Sequence, residues 1–597
     1  MKPRLALSWP GRQGPGAWPH AGSGGQPGAG PGTWSRLGLA LLSGLILALA
    51  FPPVGARWAV LAALVPLLLA AFPPQEAGWV GWRGRPLGFR QRFLLGFVCG
   101  VAFFAVLLDW LLLLPGEEMT IPWLMVPALI FLSSYLALFV AAATALAGLA
   151  EDRAGIPAPV AFPVTWVVFE QLRGCGVLGF PWGWAGYAFA PHPAVLQLAA
   201  WTGIEGITLW VVAVNTALFA ATRAWMAGRP RAALTRAGGA AAIAVAVPLF
   251  GAMVLARAPR DLVSEVGAAS DTTMARERDS GSDATITRER HPGNVEELGP
   301  LAIALLQANT PREIKWKPGY EGIVVDDLLA RTRGAAAAGA DLVIWPETAA
   351  PLMILWDPEL SGRVRDTVAE ARAWTLVGTL DAVLKGGGDF DAFNAAMLYD
   401  PSGRLRQRYY KMKLVPFSEA MPFSRKIPWM NALNFGQSDF RAGEEQTVFH
   451  AGKHPFAVLI CFESIFPELS RERVRRGARY LVNITNDFWF GRSAGPMQHA
   501  EMSIARAVEN RTPLARCANT GISFFVDPWG RVTQRTGLFV EARPLAWVRP
   551  GTGGSFYTRH GGFLLWALRA SFLLMMGMAA WNGWRSRRHR PAGEETP

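Results

Sequence analysis

Long apolar runs fill the first 256 residues of this chain, recur once near the C-terminus, and leave an ordinary polar–apolar alternation between. A helix rises about 1.5 Å per residue, so about twenty apolar residues are needed to cross a hydrocarbon core of roughly 30 Å. Such runs lie at 34–52, 57–73, 91–115, 121–149, 157–173, 194–222, 235–256 and 562–584, the second and fifth being short. The expectation is a multi-span α-helical membrane domain of about eight transmembrane helices, seven before a globular region and one after it.

The basic residues give this count a sidedness. Lys2, Arg4, Arg12 and Arg36, then Arg83, Arg85, Arg90 and Arg92, then Arg223, Arg229, Arg231 and Arg236, then Arg585, Arg587, Arg588 and Arg590 all fall on one face. Glu117 and Glu118, and the Lys/Arg-free stretch 174–193, fall on the other. The positive-inside rule then puts both termini in the cytoplasm and the globular region outside, against the trend of Arg57, Arg257 and Arg260. The leader 1–33 is Pro/Gly-rich, reads as disordered, and is too long for a signal peptide followed at once by further spans. A net charge of +13 is compatible with nucleic acid, but the arginines flank apolar runs, which suits lipid headgroups instead.

Ionisable groups within spans are costly and call for partners. Asp109 and Arg569 are read as interface residues or interhelical contacts, and Glu205 lies within the sixth run. Glu170 and Arg173 close the fifth run just before GFPWGWAGY (179–187), whose Gly, Pro and Trp suit an interfacial loop near headgroups.

Residues 257–298 read as a polar linker and 299–556 as a globular domain, with the last span at 557–584 and a basic cytoplasmic tail at 585–597. Buried strands are expected at 301–309, 341–347, 374–380, 456–463 and 480–487, a strand entering a turn at 521–532, helices at 319–338, 466–478 and 497–510, and a hairpin around Pro401-Ser402-Gly403. Strands alternating with helices give an α/β domain, whose strand ends are the usual place for functional groups.

Three segments carry chemistry. Glu347 ends an apolar strand after Pro346, where lost solvation favours the neutral acid and suits a general base; a capping glutamate is the plain alternative. Lys411 and Lys413, in YYKMKLVPFSE (409–419), offer a fixed charge for an oxyanion or thiolate, or are solvated lysines of a surface strand; Glu419 ends that segment. Cys461, in VLICFES (458–464), ends another apolar strand, and Ser464 and Pro467 suggest a turn that exposes it as a nucleophile elbow does; a core thiol is the alternative. A nearby lysine would lower such a thiol from its usual ~8.5. His450, His454 and His499 have neither metal-ligand spacing nor an obvious companion, and composition does not decide between a Cys–His pair and a glutamate base with a lysine; Cys99, Cys175, Cys461 and Cys517 form no CxxC pair.

At WPE (345–347), YYKMKLVPFSE, CFE (461–463) and NDFWFG (486–491) the sequence resembles the nitrilase, or carbon–nitrogen hydrolase, superfamily. With the spans on either side it resembles the apolipoprotein N-acyltransferase family within it. The resemblance implies a nitrilase-like αββα sandwich. It also implies Glu347 as base, Lys411 at the oxyanion, Cys461 as acyl carrier, and Glu419 as a supporting carboxylate. Phe462 and Glu463 flank the nucleophile, Trp489 matches a tryptophan near the substrate entrance, and Asn519 matches a strand-edge asparagine. Lys413 stands where histidine is common and Ser418 where glycine is. Cys517 replaces a small hydroxyl residue, so a Cys461–Cys517 bridge has to be weighed against two free thiols, which the reading prefers. The implied substrates are a phospholipid donor, phosphatidylethanolamine for choice, and a diacylglyceryl-lipoprotein acceptor. The implied enzyme is a monomer in the bacterial inner membrane that needs no cofactor or metal. A membrane-tethered amidase would leave eight spans unexplained, and a transporter would leave the three motifs unexplained.

Overall fold

The computed structural model describes residues 31–73, 87–114, 122–266 and 298–588, apart from 316, 318, 425, 428 and 430–438. The leader to residue 30, Arg83 and Arg85, Glu117 and Glu118, insert residues 267–297 and tail residues 589–597 lie outside the described residues.

The apolar runs fold as helices α1 (Pro31–Leu49), α2 (Val65–Ala71), α3 (Phe89–Leu107), α4 (Met125–Ala154), α5 (Ala158–Arg173), α6 (Pro193–Leu196), α7 (Ala199–Thr202), α8 (Ile204–Met226) and α9 (Pro230–Arg257). Among the described residues six helices, α1, α3, α4, α8, α9 and Phe563–Ser586, are long and apolar enough to cross a membrane. The runs expected at 57–73 and 157–173 are helical but shorter, at 57–71 and 158–173. The run expected as one span at 194–222 is instead broken into α6, α7 and α8. Gly203 sits there at φ +72°, and a Cβ on it would meet Glu205 and Tyr557.

Two sheets follow. The first holds β1 (Val263–Glu265), β2 (Leu301–Leu305), β3 (Leu342–Ile344), β4 (Trp374–Gly386), β5 (Asp389–Tyr399) and β6 (Leu405–Tyr410). The second holds β7 (Phe449–Ala451), β8 (His454–Ile460), β9 (Tyr480–Thr485), β10 (Leu514–Ala518), β11 (Phe524–Val526) and β12 (Val532–Thr533), while β13 (Leu545–Val548) returns to the first. The orders are β1-β13-β2-β3-β4-β5-β6 and β12-β11-β10-β9-β8-β7. Strand β1 corrects the linker reading: residues 263–265 pair with β13, so the sheet begins before the insert.

The remaining helices are α10 (Arg312–Lys315), α11 (Glu321–Ala337), α12 (Pro358–Ala371), α13 (Pro467–Arg475), α14 (Gly495–Asn510), α15 (Phe556–His560) and α16 (Phe563–Arg588). The sheets face each other across Ile303, Ile344, Leu376, Phe456, Val458 and Ile484, because alternate residues of each strand point inward. Helices α11 and α12 cover the first sheet through Val325, Leu328 and Val364. The outer face of the second sheet, at Ala457, Leu459 and Leu481, joins α14 and the membrane helices in one continuous apolar cluster. The layers are therefore α, β, β, α, with the membrane helices packed beyond the last.

Candidate active site

Three strand ends converge between the sheets. Strand β3 runs into Trp345-Pro346-Glu347, and Glu347 is buried. Gly378 on β4 lets it approach, since a Cβ there would stand 2.0 Å from the Pro346 carbonyl oxygen. Strand β6 delivers Lys411, only 1% exposed. Its Nζ donates to Glu347 Oε1 at 3.2 Å and Glu419 Oε1 at 2.8 Å. Asn394 on β5 repeats the bridge, its Nδ2 donating to the same two oxygens at 2.8 and 3.1 Å. Glu347 Oε2 accepts from the Asn486 backbone N–H at 2.9 Å, and Glu419 Oε2 from Val415 N–H at 2.9 Å.

Strand β8 ends one residue before Cys461, which opens a short 3-10 turn at φ +51°. That left-handed conformation is unfavourable for a side-chain-bearing residue and is stored at functional sites when surroundings enforce it. Burial pushes the Cys461 thiol well above its ordinary range, Glu347 adds to this, and Lys411 and a hydrogen bond with Thr485 oppose it. This corrects the expectation of a lysine-lowered thiol: desolvation outweighs the nearby cation. Burial alone would also lower Lys411, but Glu347, Glu419 and Cys461 hold its ammonium well above the usual value. At neutral pH the resting site thus holds a thiol and a fixed positive charge. A buried carboxylate beside both is placed to take the thiol proton.

Glu463 is fully buried and ties two motifs together. Its Oε1 accepts from Tyr409 Oη (2.6 Å), Met412 N–H (2.8 Å) and Lys413 N–H (3.3 Å), and its Oε2 from Ile460 N–H (2.8 Å). The segment carrying Lys411 is so pinned to the turn carrying Cys461.

The family models of the apolipoprotein N-acyltransferase N-terminal domain and of carbon-nitrogen hydrolase match residues 43–217 and 302–543. An apolipoprotein N-acyltransferase of Geobacter metallireducens is 36% identical over 91% of this chain and 94% of its own length. That of Brucella melitensis is 31% identical over 85% and 88%. The chain belongs to the apolipoprotein N-acyltransferase family. Among solved structures, an amidase from Nesterenkonia sp. is 20% identical with a TM-score of 0.33, covering 42% of this chain and 91% of its own.

Other positions named from the sequence fall as follows in this N-acyltransferase. Phe462 is buried against Phe180 and Phe466, with ring centroids 5.9 and 5.0 Å away. Trp489 is 41% exposed on the short turn after β9. Asn519 clamps the 309–310 backbone, its Oδ1 accepting from Thr310 N–H at 3.0 Å and its Nδ2 donating to Thr310 O at 3.2 Å. Lys413 turns aside, its Nζ 5.3 Å from the Phe466 ring centre. Cys517 and Cys461 are both free, and Cys517 Sγ points at the Ile344 carbonyl at 3.3 Å.

The loop 179–187 is a correction. It is not an exposed interfacial loop: Trp182, Trp184 and Tyr187 are buried. Trp182 Nε1 donates to Gln498 Oε1 at 2.7 Å, and Tyr187 Oη to the Ile465 carbonyl at 3.0 Å, so the loop packs beneath the catalytic domain. Glu170 and Arg173 secure it, Glu170 Oε1 accepting from Ala185 N–H at 2.8 Å and Arg173 Nη1 donating to Trp182 O at 2.7 Å. Arg569 donates to Gln171 Oε1 at 2.6 Å, the expected interhelical contact. Asp109 is exposed where α3 gives way to a 3-10 turn.

Asn394 and Lys315 went unnamed in the sequence, and Asn486 and Asp487 (within NDFWFG) and His499 were given no role there. Lys315 Nζ donates to Thr348 Oγ1 at 3.2 Å and to the Glu347 carbonyl at 3.4 Å. Burial brings its ammonium down to about 7, with Glu347 opposing. Lysine in PREIKWK gives no local sign of burial, and Asn394 was legible only as part of a hairpin.

Proposed function

We propose that this N-acyltransferase moves a fatty-acyl group from a membrane phospholipid, phosphatidylethanolamine for choice, to the α-amine of a diacylglyceryl-modified N-terminal cysteine of a lipoprotein. The catalytic domain works on the periplasmic side of the inner membrane, with both termini cytoplasmic. The observation that carries the reading is the Lys411 ammonium bridging Glu347 and Glu419 beside a cysteine held in a left-handed turn.

Glu347 takes the thiol proton of Cys461, and the thiolate attacks the ester carbonyl of the donor. The tetrahedral oxyanion lies against Lys411. The C–O bond breaks, the proton passes from Glu347 to the departing alkoxide, and a lysophospholipid leaves behind an acyl-thioester. The acceptor α-amine, with a pKa near ~8, has a usable neutral fraction at pH 7. It attacks the thioester, the C–N bond forms as C–S breaks, and the amine proton returns through Glu347 to the sulfur. Confinement of both lipid-anchored substrates to one membrane raises their effective concentration.

Mass spectrometry of the full-length protein mixed with phosphatidylethanolamine nanodiscs tests this. A fatty-acyl mass is expected on the peptide containing Cys461, and none after Cys461→Ser. Acylation of another residue, or rapid labelling of Cys461→Ser, would overturn the assignment.

A further inference from the structure

Beneath the nucleophile turn lies a buried polar chain that the reaction above does not use. His499 on α14 is 1% exposed. Its Nδ1 is 2.8 Å from Asp487 Oδ1, and its Nε2 is 3.1 Å from the Cys461 carbonyl oxygen and 3.2 Å from Ser464 Oγ. Ser464 Oγ in turn donates to that same carbonyl at 2.9 Å. Asp487 is anchored from its other oxygen by Arg516 Nη2 at 2.7 Å, and Thr485 Oγ1 donates to Oδ1 at 2.9 Å. Arg516 also bonds Asn483 Oδ1, and Asn483 Nδ2 donates to the Leu459 carbonyl at 2.9 Å, so the chain is rooted in the nucleophile's own strand β8 and in β9 and β10 beside it.

The ring is fixed in plane as well as in direction. Trp182 from the membrane half stacks on it at 5.8 Å and 27°, and Phe490 lies 6.0 Å away. The next residue back, Gln498, accepts from Trp182 and donates to the backbone carbonyls of Pro52 and Leu107. The imidazole is therefore held between the catalytic sheet and the membrane helices.

We propose that His499, oriented by Asp487 and Arg516, is a positioning residue that clamps the Cys461 carbonyl and so holds the nucleophile in its left-handed turn. The Cys461 carbonyl can only accept, so Nε2 carries the proton that bonds it, while Nδ1 lies between the Asp487 carboxylate, which only accepts, and Arg516 Nη2 at 3.2 Å, which only donates. Burial, and then the Arg516 charge, bring the imidazole below its ordinary pKa despite Asp487 and the Cys461 carbonyl, so the ring is neutral at pH 7. On the neutral ring Nε2–H donates to the Cys461 carbonyl, with Ser464 supplying the second bond to the same oxygen, and Nδ1 accepts from Arg516 Nη2. Without the clamp, the φ +51° conformation of Cys461 is free to relax toward the extended region that any residue prefers, and the sulfur swings away from Glu347 and Lys411.

The inference rests on Cys461 as the nucleophile, and the experiment separates the two. Full-length wild type, His499→Leu, His499→Asn and His499→Gln are mixed with phosphatidylethanolamine nanodiscs, quenched over time, and the acyl mass on the Cys461 peptide is followed. A glutamine amide reaches the place of Nε2, whereas an asparagine amide reaches only that of Nδ1. At saturating phospholipid the acylation rate is expected to fall about tenfold to a hundredfold in the Leu and Asn variants, and to recover to within about fivefold of wild type in the Gln variant. The phospholipid concentration for half-maximal rate should not move. Wild-type acylation by His499→Leu overturns the inference, as does a Gln variant no better than Asn, whether in rate or in failing to insert. If wild type carries its acyl group elsewhere than Cys461, it is the nucleophile assignment that falls. Acyl on Cys461 in wild type keeps that assignment whatever the His499 variants do.

Discussion

Gly378→Ala tests whether the position of Glu347 sets the rate. In the folded chain the space beside Gly378 is taken by the Pro346 carbonyl, 2.0 Å from where a Cβ would stand, with the Pro346 carbon at 2.8 Å and the Glu347 Cα at 3.0 Å. Ordinary contact begins near 3.4 Å, so the Pro346–Glu347 backbone must retreat by about 1.4 Å, or the two strands must part. Both neighbours are backbone and cannot rotate away. The Glu347 carboxylate is held by Asn394 at 2.8 Å, Asn486 N–H at 2.9 Å and Lys411 at 3.2 Å, and those contacts cannot all survive such a shift. A displacement of about 1 Å in a catalytic group costs on the order of a hundredfold in rate. Overpacking adds a destabilisation of about 1–3 kcal/mol, or a fall of roughly 2–12 °C in unfolding temperature for a domain of this size. The assay is single-turnover formation of acyl-enzyme on phosphatidylethanolamine nanodiscs, with a thermal melt on the same sample. An alanine variant that inserts and acylates at the wild-type rate would refute the reasoning, because Glu347 would then tolerate the displacement the geometry demands.

Glu463→Gln puts an amide donor among four hydrogen-bond donors and removes the charge 4.0 Å from buried Arg473. It is expected to cost about 3 kcal/mol and to lower the unfolding temperature by roughly 6–12 °C, and an unchanged melt would contradict it. Arg57→Ala removes a two-pronged bond from a membrane-side turn to Glu501 on α14, at 3.0 and 2.7 Å. A double-mutant cycle with Glu501→Gln should give a coupling of about 1–3 kcal/mol, and additive effects would show that the pair does not join the halves. Burial would raise the Asp487 carboxyl, but Arg516 and His499 hold it down at about 2. Its folded value lies below the unfolded ~3.9, so its contribution is complete above that pH and is lost as pH falls toward 2. The stability gap between wild type and Asp487→Asn should therefore shrink from about pH 4 downward, and a gap independent of pH would count against the depressed value.

Glu347 and Cys461 were legible in the sequence because each ends an apolar strand, and strand ends are where this layered architecture brings side chains together; Lys411 follows the polar strand LRQRYY and was legible only from the aromatic and apolar residues around it and from the resemblance. The hairpin at Pro401-Ser402-Gly403 and helix α14 were legible for equally local reasons: turn chemistry in one case, period in the other. His499 was not, since Asp487 lies 12 positions back and Arg516 lies 17 further on, and neither spacing matches a ligand or triad pattern. Strands β1 and β13 escaped notice because a three-residue and a four-residue strand leave no periodicity to read. The loop 179–187 misled by composition. Tryptophan and glycine suit a headgroup layer, but they equally suit a tight, aromatic contact between two folded halves, and only burial separates the two.

That contact also explains why the helical half is more than an anchor. The outer face of the second sheet is apolar at Ala457, Leu459 and Leu481, and the helix covering it, α14, turns Gln498 and His499 toward residues of the membrane half. A hydrolase that needed only to be tethered would present a polar surface to its membrane segment and join it by a linker. Here the nucleophile's own turn is closed from below: Tyr187 donates to the Ile465 carbonyl, Phe180 packs on Phe462, and Trp182 stacks on the imidazole that reaches Cys461. Aromatic rings thus pack against the turn that carries the nucleophile on its membrane side, and packing of that kind excludes water better than a hydrated interface would. Such a site favours an amine delivered on a lipid over water from bulk, and so favours acyl transfer over hydrolysis.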